Sequence, residues 1–273
     1  MAKENPLASN LTLEQQKNLF GNAYLNMLWH CPTDQRFPYW VHLPDCYYDE
    51  KDPHYKLLVI IHGTGCAVED YVRHAKELAD RDHVEVLAPL FPGGLIQRDD
   101  FNSYKLLSCD GVRYDQILLD MIDDMAKRYP GVETDKFFLF GHSGGGQFVN
   151  RFLFAHPEKL RACAIGAPGR PTFLNPDEDY FWGTRDFKNY FGHDVDLAAV
   201  QKVPVLVIVG ENDTKFIGDS PYGDNRVARM KSLQKNLQDH GVHTELTILP
   251  GFAHEGGEKE RVQAAQHFFE AYL

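Results

Sequence analysis

Short apolar runs alternate with amphipathic stretches along most of the chain. The run Leu-Leu-Val-Ile-Ile at residues 57–61 indicates a strand buried on both faces. Further strands are predicted at residues 84–89, 136–140, 162–165, 203–209 and 245–249, and helices at residues 68–80, 114–129, 145–156, 226–240 and 258–272. This alternation predicts an α/β fold, in which a mostly parallel central sheet of about eight strands is flanked by helices.

Two segments depart from this rhythm. Residues 1–36 are predicted to form an N-terminal helical extension, because residues 11–24 have a helical spacing with Thr12 and Gln15 as a capping box. Residues 37–43 alternate like a strand. Residues 169–200 form a long connection rich in aromatic side chains, and such insertions commonly serve as lids. We therefore predict a single domain over residues 1–273 with a cap at 169–200.

Charge and cysteine content narrow the partners of this protein. The 39 acidic residues outnumber the 28 basic ones, which gives a net charge of -11 and disfavours nucleic acid and anionic membrane surfaces. No stretch of eighteen apolar residues occurs in the sequence. The five cysteines are odd in number and scattered, so reduced thiols in the cytoplasm are expected. A small-molecule substrate is the expected partner, and the apolar final helix is a candidate dimer face.

Residues 141–145 read Gly-His-Ser-Gly-Gly, directly after a predicted strand and before a predicted helix. This G-x-S-x-G pattern, in a strand-turn-helix context, predicts a nucleophile elbow with Ser143 at its tip. The flanking glycines remove the Cβ clashes that would block so tight a turn. An ordinary Gly-Ser-Gly turn is the alternative, and the acid, base and second loop described next argue against it.

A serine nucleophile needs a base, an acid that orients the base, and donors for the oxyanion. Asp213 follows the apolar run ending at Val209, with Glu211 and Asp219 as competitors for the role of acid. His254 lies in a glycine-bounded loop after the last strand, so the order Ser, acid, His is that of an elbow-type hydrolase. The candidate oxyanion donors are the backbone amides of Gly144 and of Thr64 or Gly65 in the loop that follows residues 57–61.

With these motifs in place, residues 37–273 resemble the α/β-hydrolase superfamily, and within it the branch of esterases and polyhydroxybutyrate-depolymerase-like enzymes. The resemblance rests on His-Gly-Thr-Gly at 62–65, Gly-His-Ser-Gly-Gly at 141–145, Gly-Glu-Asn-Asp at 210–213 and Gly-Phe-Ala-His at 251–254. It implies the α/β-hydrolase fold and hydrolysis of a carboxylic ester through an acyl-enzyme, without cofactor or metal.

The expected activity is that of a carboxylesterase or lactonase acting on a small to medium apolar or aromatic substrate. Cleavage of a carbon–carbon or amide bond by the same three residues is one alternative, and a ligand-binding protein on a hydrolase fold is another. Aromatic residues at strand ends and in the insertion are candidates for the substrate pocket, and packing of the insertion onto the domain is the equally weighted alternative. The candidate substrate-binding residues are His62, Phe91, Phe181, Trp182 and Phe252. Arg170 and Arg185 are candidates either for binding a substrate carboxylate or for surface salt bridges.

Overall fold

A computed structural model describes residues 26–47 and 54–273 of the chain. The strands of its central sheet are β1 (Asn26–His30), β2 (Pro38–His42), β3 (Tyr55–Ile61), β4 (Val84–Pro89), β7 (Val132–His142), β8 (Leu160–Gly166), β9 (Val205–Gly210) and β10 (Thr244–Leu249). Their order is β1-β2-β4-β3-β7-β8-β9-β10, and only the β1–β2 and β2–β4 pairs are antiparallel. A separate two-stranded sheet joins β5 (Ser108–Cys109) to β6 (Val112–Arg113).

Helices cover both faces of this sheet. They are α1 (Val68–Asp82), α2 (Tyr114–Arg128), α3 (Gly144–Ala155), α4 (Phe187–Phe191), α5 (Leu197–Val200), α6 (Arg226–Asp239) and α7 (Glu258–Glu270), with 3₁₀ turns at Ser103–Leu106 and Pro157–Lys159. Alternate residues of β3 point to opposite faces, as the period of a strand requires. Leu58 and Ile60 join the core under α1 and α7, whereas Leu57, Val59 and Ile61 join the core under α2, α3 and α6.

The predicted fold class is confirmed: the sheet has eight strands, is mostly parallel and is flanked by helices. The predicted helices end within two residues of the observed ones. One expectation was wrong, because residues 26–30 belong to a strand that pairs with β2 and not to a helical extension. The helix predicted at residues 11–24 lies outside the described residues.

The insertion at residues 169–200 packs largely into the domain. Phe173, Tyr180, Phe187 and Phe191 are buried in the core beneath α3 and α6. The rings of Tyr180, Phe187 and Phe191 contact one another, with the Tyr180 and Phe191 centroids 5.5 Å apart, and Phe173 stacks on Tyr222. Most of the aromatic side chains in this segment therefore anchor it, and few are left to line a pocket.

The apolar face of α7 is also used inside the domain. Val262, Ala265 and Phe269 are buried together with residues of α1 and the sheet. A homodimer stays a prediction, but this buried face does not supply its interface. No helix within residues 26–47 and 54–273 has the length and apolarity needed to cross a membrane.

An isolated carboxyl group lies in the middle of the sheet at Glu85 of β4. The residue is 0% exposed, and neither carboxyl oxygen has a hydrogen-bond partner among residues 26–47 and 54–273. Burial raises the pKa of Glu85 well above its ordinary value of 4.5, because the ionised form loses its hydration without gaining a partner. Glu85 is therefore a cost to stability that the described structure does not offset.

We predict that Glu85→Leu stabilises the protein by on the order of 1–3 kcal/mol near neutral pH, because it removes an unpaired buried polar group. Above pH 4.5 the unfolded chain releases this proton while the folded chain retains it, so the wild type loses stability as pH rises. Urea unfolding at pH 5 and pH 8 measures the effect, and the gain should be larger at pH 8. Glu77→Leu, on the exposed side of α1, controls for the lost charge. A gain that is equal at both pH values would contradict the explanation.

Candidate active site

Ser143 stands at a tight turn between β7 and α3. Its backbone has φ 58° and ψ -111°, a conformation that L-residues rarely adopt. A Cβ on Gly145 would collide with the carbonyl oxygen of Ile61, and one on Gly141 would lie 2.5 Å from the carbonyl oxygen of Gly145. Glycine at 141 and 145 therefore allows α3 to begin against the ends of β7 and β3. The turn leaves the Ser143 side chain half-buried and accessible.

A chain of hydrogen bonds joins the three residues that the sequence singled out. The Ser143 hydroxyl lies 2.9 Å from Nε2 of His254, and Nδ1 of His254 lies 2.7 Å from Oδ2 of Asp213. Because a carboxylate can only accept, Nδ1 carries the proton and Nε2 is left to accept from the serine. This is the tautomer in which a histidine can remove a proton from a serine.

Asp213 occupies its position through a turn after β9. Its amide donates to the carbonyl oxygen of Gly210 at 3.1 Å, its side chain is 1% exposed, and Nη1 of Arg226 lies 3.4 Å from Oδ1. The two competing acids are placed elsewhere. The exposed Glu211 accepts a hydrogen bond from the amide of Gly251 at 2.9 Å, and Asp219 is exposed to solvent.

The loop that carries His254 is held from two sides. Arg261 of α7 is buried and donates to the carbonyl oxygens of Ala253 at 2.7 Å and His254 at 3.1 Å. Nε2 of His142, the residue before the nucleophile, also lies 3.1 Å from the His254 carbonyl oxygen. The strand end itself fits closely, since a Cβ on Gly210 would collide with the carbonyl oxygen of Phe252. These contacts fix the backbone of His254 relative to Ser143.

Two backbone amides lie close together beside Ser143, those of Thr64 and Gly144. A Cβ on Gly144 would come within 3.2 Å of the Thr64 amide nitrogen, so the Thr64 and Gly144 backbones are adjacent. Within the described residues, neither amide donates to another protein group. Both are therefore free to bind an oxyanion. Gly65 has no atom within 4 Å of its Cβ position, which makes Thr64 the better placed of the two loop candidates.

His62 and Phe91 were expected to contact substrate, and the structure contradicts this. They are 1% exposed, and they hold two loops together. Nε2 of His62 accepts from the Phe91 amide at 2.9 Å, while Nδ1 donates to the Gly63 carbonyl oxygen at 2.7 Å. The ring of Tyr104 covers both side chains, with centroids 4.9 Å and 5.6 Å away. The strand-end loops fold back on the core here and do not open towards substrate.

A cavity near Ser143 is lined by Gln147, Arg151 and Phe181, among others. Of the other expected pocket residues, Trp182 and Phe252 do not line it. Trp182 is half-buried and covers Arg229, whose guanidinium carbon lies 5.2 Å from the ring centroid. Phe252 is half-buried against Gly257, and its carbonyl oxygen accepts from the Asn212 amide at 2.8 Å. Both aromatic side chains therefore support the site without reaching the cavity.

Of the cations that surround this cavity of about 440 Å³, only Arg170 was singled out from the sequence. Lys105 and Arg151 are buried, and Nζ of Lys105 donates to Oγ1 of Thr64 at 2.8 Å. Burial and the charge of Arg151 lower the pKa of Lys105 to about 8. A signal for Arg151 was present, because it is the only charged residue in the predicted helix at 145–156. No comparable signal marks Lys105 or Arg229.

No family model matches this chain, and no curated protein resembles it in sequence. Solved structures do resemble it. One is poly(aspartic acid) hydrolase-1 from Sphingomonas sp. KT-1, with 19% identity, a TM-score of 0.70 and coverage of 89% of this chain and 96% of that one. Another is the poly(3-hydroxybutyrate) depolymerase LpqC from Bordetella parapertussis, with 19% identity, a TM-score of 0.71 and coverage of 97% and 96%. A third is an S-formylglutathione hydrolase from Agrobacterium tumefaciens, with 15% identity, a TM-score of 0.58 and coverage of 90% and 93%.

These likenesses, together with the sheet order, show that the chain has the α/β-hydrolase fold. In this fold, ligands bind beyond the carboxyl ends of the parallel strands. Ser143 follows β7, Asp213 follows β9 and His254 follows β10, so all three lie at that edge.

Burial keeps the His62 ring neutral and lowers its pKa from 6.5 to about 4. We predict that Nε2 of His62 stays unprotonated at pH 5. The chemical shifts of the imidazole nitrogens in ¹⁵N NMR measure its protonation state. The His62 signals are assigned by their loss in the variant His62→Gln. The unfolded chain takes up this proton near pH 6.5, so the interaction stabilises the fold above that pH and is lost as pH falls towards 4. A His62 signal that titrates near pH 6.5 would show that the ring is not buried as described.

Proposed function

We propose that this protein is a serine hydrolase that cleaves a carboxylic ester or lactone of small to medium size through an acyl-enzyme. The observation that carries the proposal is the hydrogen-bonded series Ser143–His254–Asp213, with the serine at the strained turn before α3. Three polar side chains from three separate strand ends rarely meet in this order without a catalytic purpose. The neighbours named as a depolymerase and as an S-formylglutathione hydrolase support hydrolysis as the reaction class.

In the proposed mechanism, Oγ of Ser143 attacks the carbonyl carbon while Nε2 of His254 takes the hydroxyl proton. Asp213 stabilises the imidazolium, and the amides of Thr64 and Gly144 bind the oxyanion. His254 then returns the proton to the departing alcohol, which leaves an ester on Ser143. A water molecule attacks this ester, with His254 again accepting the proton, and the acid is released from the regenerated serine.

The same three residues would serve an amide or carbon–carbon hydrolase, so the bond type belongs to this proposal and is open to a substrate screen. A ligand-binding protein would have no need of the Ser143–His254 hydrogen bond. Location in the cytoplasm and a small-molecule partner stay predictions; the five cysteines, all free thiols, are in keeping with the former.

Replacing the nucleophile tests the proposal directly. We predict that Ser143→Ala lowers kcat for short 4-nitrophenyl esters by about 10³-fold or more, because no other group can form the acyl-enzyme. Steady-state kinetics measure the loss, and circular dichroism confirms that the variant is folded. Ser232→Ala, on the helix α6, is the matched control and should retain full activity. Turnover by folded Ser143→Ala at the wild-type rate would overturn the proposal.

The acid can be tested against its two competitors. We predict that Asp213→Asn lowers kcat by about 10³- to 10⁴-fold, because an amide favours the wrong tautomer of His254. Asp219→Asn should leave kcat unchanged, and Glu211→Gln should change it by less than about tenfold through the loop at Gly251. If Glu211→Gln were the more damaging variant, the assignment of the acid would be wrong.

A further inference from the structure

The cavity of about 440 Å³ lies near the nucleophile, although Ser143 itself is not among the residues that line it. Gln147 lines it one helical turn after Ser143, and the Gln147 amide donates to the Ser143 carbonyl oxygen at 3.1 Å. Lys105 also lines it, and the Lys105 ammonium group donates to Oγ1 of Thr64 in the candidate oxyanion loop. A group bound in this cavity would therefore belong to a molecule whose ester carbonyl lies at Ser143.

The wall of the cavity carries four cations: Lys105, Arg151, Arg170 and Arg229. Among the described residues that line it, none is acidic. Lys105 donates to two neutral oxygens, Oγ1 of Thr64 at 2.8 Å and Oδ1 of Asn102 at 2.6 Å. Burial and the charge of Arg151 lower the pKa of Lys105, against a smaller opposing effect of Asp100, so repulsion between the two cations outweighs the attraction to this acid.

Among the described residues, the two buried guanidinium groups also donate to neutral acceptors only. Arg151 is 0% exposed and donates to the carbonyl oxygens of Lys105 at 2.5 Å and Arg170 at 2.9 Å. Arg229 is 2% exposed and donates to the carbonyl oxygens of Gly218 at 2.6 Å and Gly223 at 2.9 Å. These bonds satisfy the N–H groups but leave the charges uncompensated, and burying uncompensated charge is costly.

Several cations elsewhere in the described chain have acidic partners, although the buried Arg261 near His254 also donates only to carbonyl oxygens. Nη2 of Arg113 pairs with Asp115 at 2.6 Å, and Nε of Arg128 pairs with Asp124 at 2.7 Å. The contrast is sharpest within the insertion, where Arg185 pairs with Asp179 at 2.7 Å, whereas the exposed Arg170 has no hydrogen bond or ion pair from its side chain to any described residue. In a protein of net charge -11, this concentration of unpaired positive charge at one cavity is a local exception.

We propose that this cavity binds a carboxylate of the substrate, so that the preferred substrate is an ester with an anionic group close to the scissile bond. Arg170 has an exposed guanidinium group that can bind the carboxylate in a bidentate manner. Lys105 and Arg151 add positive electrostatic potential to the cavity wall. Phe181 packs against the connecting carbons. The proposed carboxylate site rests on the proposed function. It changes the expected substrate from an apolar ester to an acidic one.

The test uses two matched pairs of esters. In the first, the mono-4-nitrophenyl ester of glutarate is compared with its methyl-capped form, which places the carboxylate on the acyl side. In the second, 4-acetoxybenzoate is compared with 4-acetoxybenzamide, which places it on the alcohol side. We expect the anionic member of at least one pair to have a kcat/KM about tenfold or more higher, and this preference to fall as salt rises from about 50 mM to about 500 mM.

Two arginine variants identify the source of the preference. Arg170→Gln should raise KM for the favoured anionic ester by about tenfold and leave the neutral ester unchanged. Arg185→Gln, which removes an exposed arginine of the same insertion that is already paired with Asp179, should change neither. A general loss of structure in Arg170→Gln would instead impair both esters.

The outcomes separate this inference from the proposed function. If neutral esters are hydrolysed by a Ser143-dependent route and neither anionic ester is favoured, the carboxylate site is wrong and the hydrolase stands. Equal effects of Arg170→Gln and Arg185→Gln would overturn the site as well. If no ester of either charge is hydrolysed, the proposed function itself has failed.

Discussion

The first turn of α3 contacts the ends of β3 and β7 with no room for a side chain between them. Gly141 and Gly145 make this contact feasible, and Ser143 takes up the remaining strain in its backbone, at a cost of roughly 1–3 kcal/mol. All residues of α3 except Gln147 are buried, and this packing opposes relaxation of the strain at Ser143. The contact sets three positions at once: the Ser143 hydroxyl faces His254, the Gly144 amide faces the Thr64 loop, and Gln147 faces the cavity. Any shift of α3 would disturb the nucleophile, the oxyanion donors and the pocket together.

A second constraint is electrostatic. Arg151 and Arg229 tie the loops around residues 105, 169–170 and 218–223 to the helices α3 and α6 through backbone carbonyls. The same guanidinium groups make the cavity positive, because carbonyl oxygens do not cancel a full charge. The positions of these loops and the positive potential of the cavity therefore depend on the same two side chains. A bound carboxylate would offset the free-energy cost of burying their charges, which no acid in the described structure offsets. Glu85 is also a buried ionisable group, but it does not contact the described residues of the site.

Much of this structure could be predicted from the sequence, for reasons that the structure makes clear. Strands such as residues 57–61 are buried on both faces, so their apolar runs are unambiguous, and Asp213 comes three residues after such a strand, β9. The strand before His254 is half-exposed, and the glycine-bounded loop was the signal for that residue. His62 and Phe91 also lie at strand ends, yet Tyr104, from a distant 3₁₀ turn, covers them, and only tertiary packing decides between cavity and core. The difference between Arg170 and Arg185 was equally hidden, because Asp179 pairs with Arg185 whereas no acid in the described part of the chain pairs with Arg170. Arg151 was the exception, as a lone charge in an apolar helix.

The proposed chemistry depends most on His254 making Ser143 nucleophilic. Covalent labelling measures the reactivity of the Ser143 hydroxyl without knowledge of the substrate. A fluorophosphonate should modify the wild-type protein at one residue, which peptide mass spectrometry should map to Ser143, and His254→Ala should label slower by orders of magnitude. Failure of the wild type to label, modification of another serine, or equal labelling rates in His254→Ala would contradict the central claim.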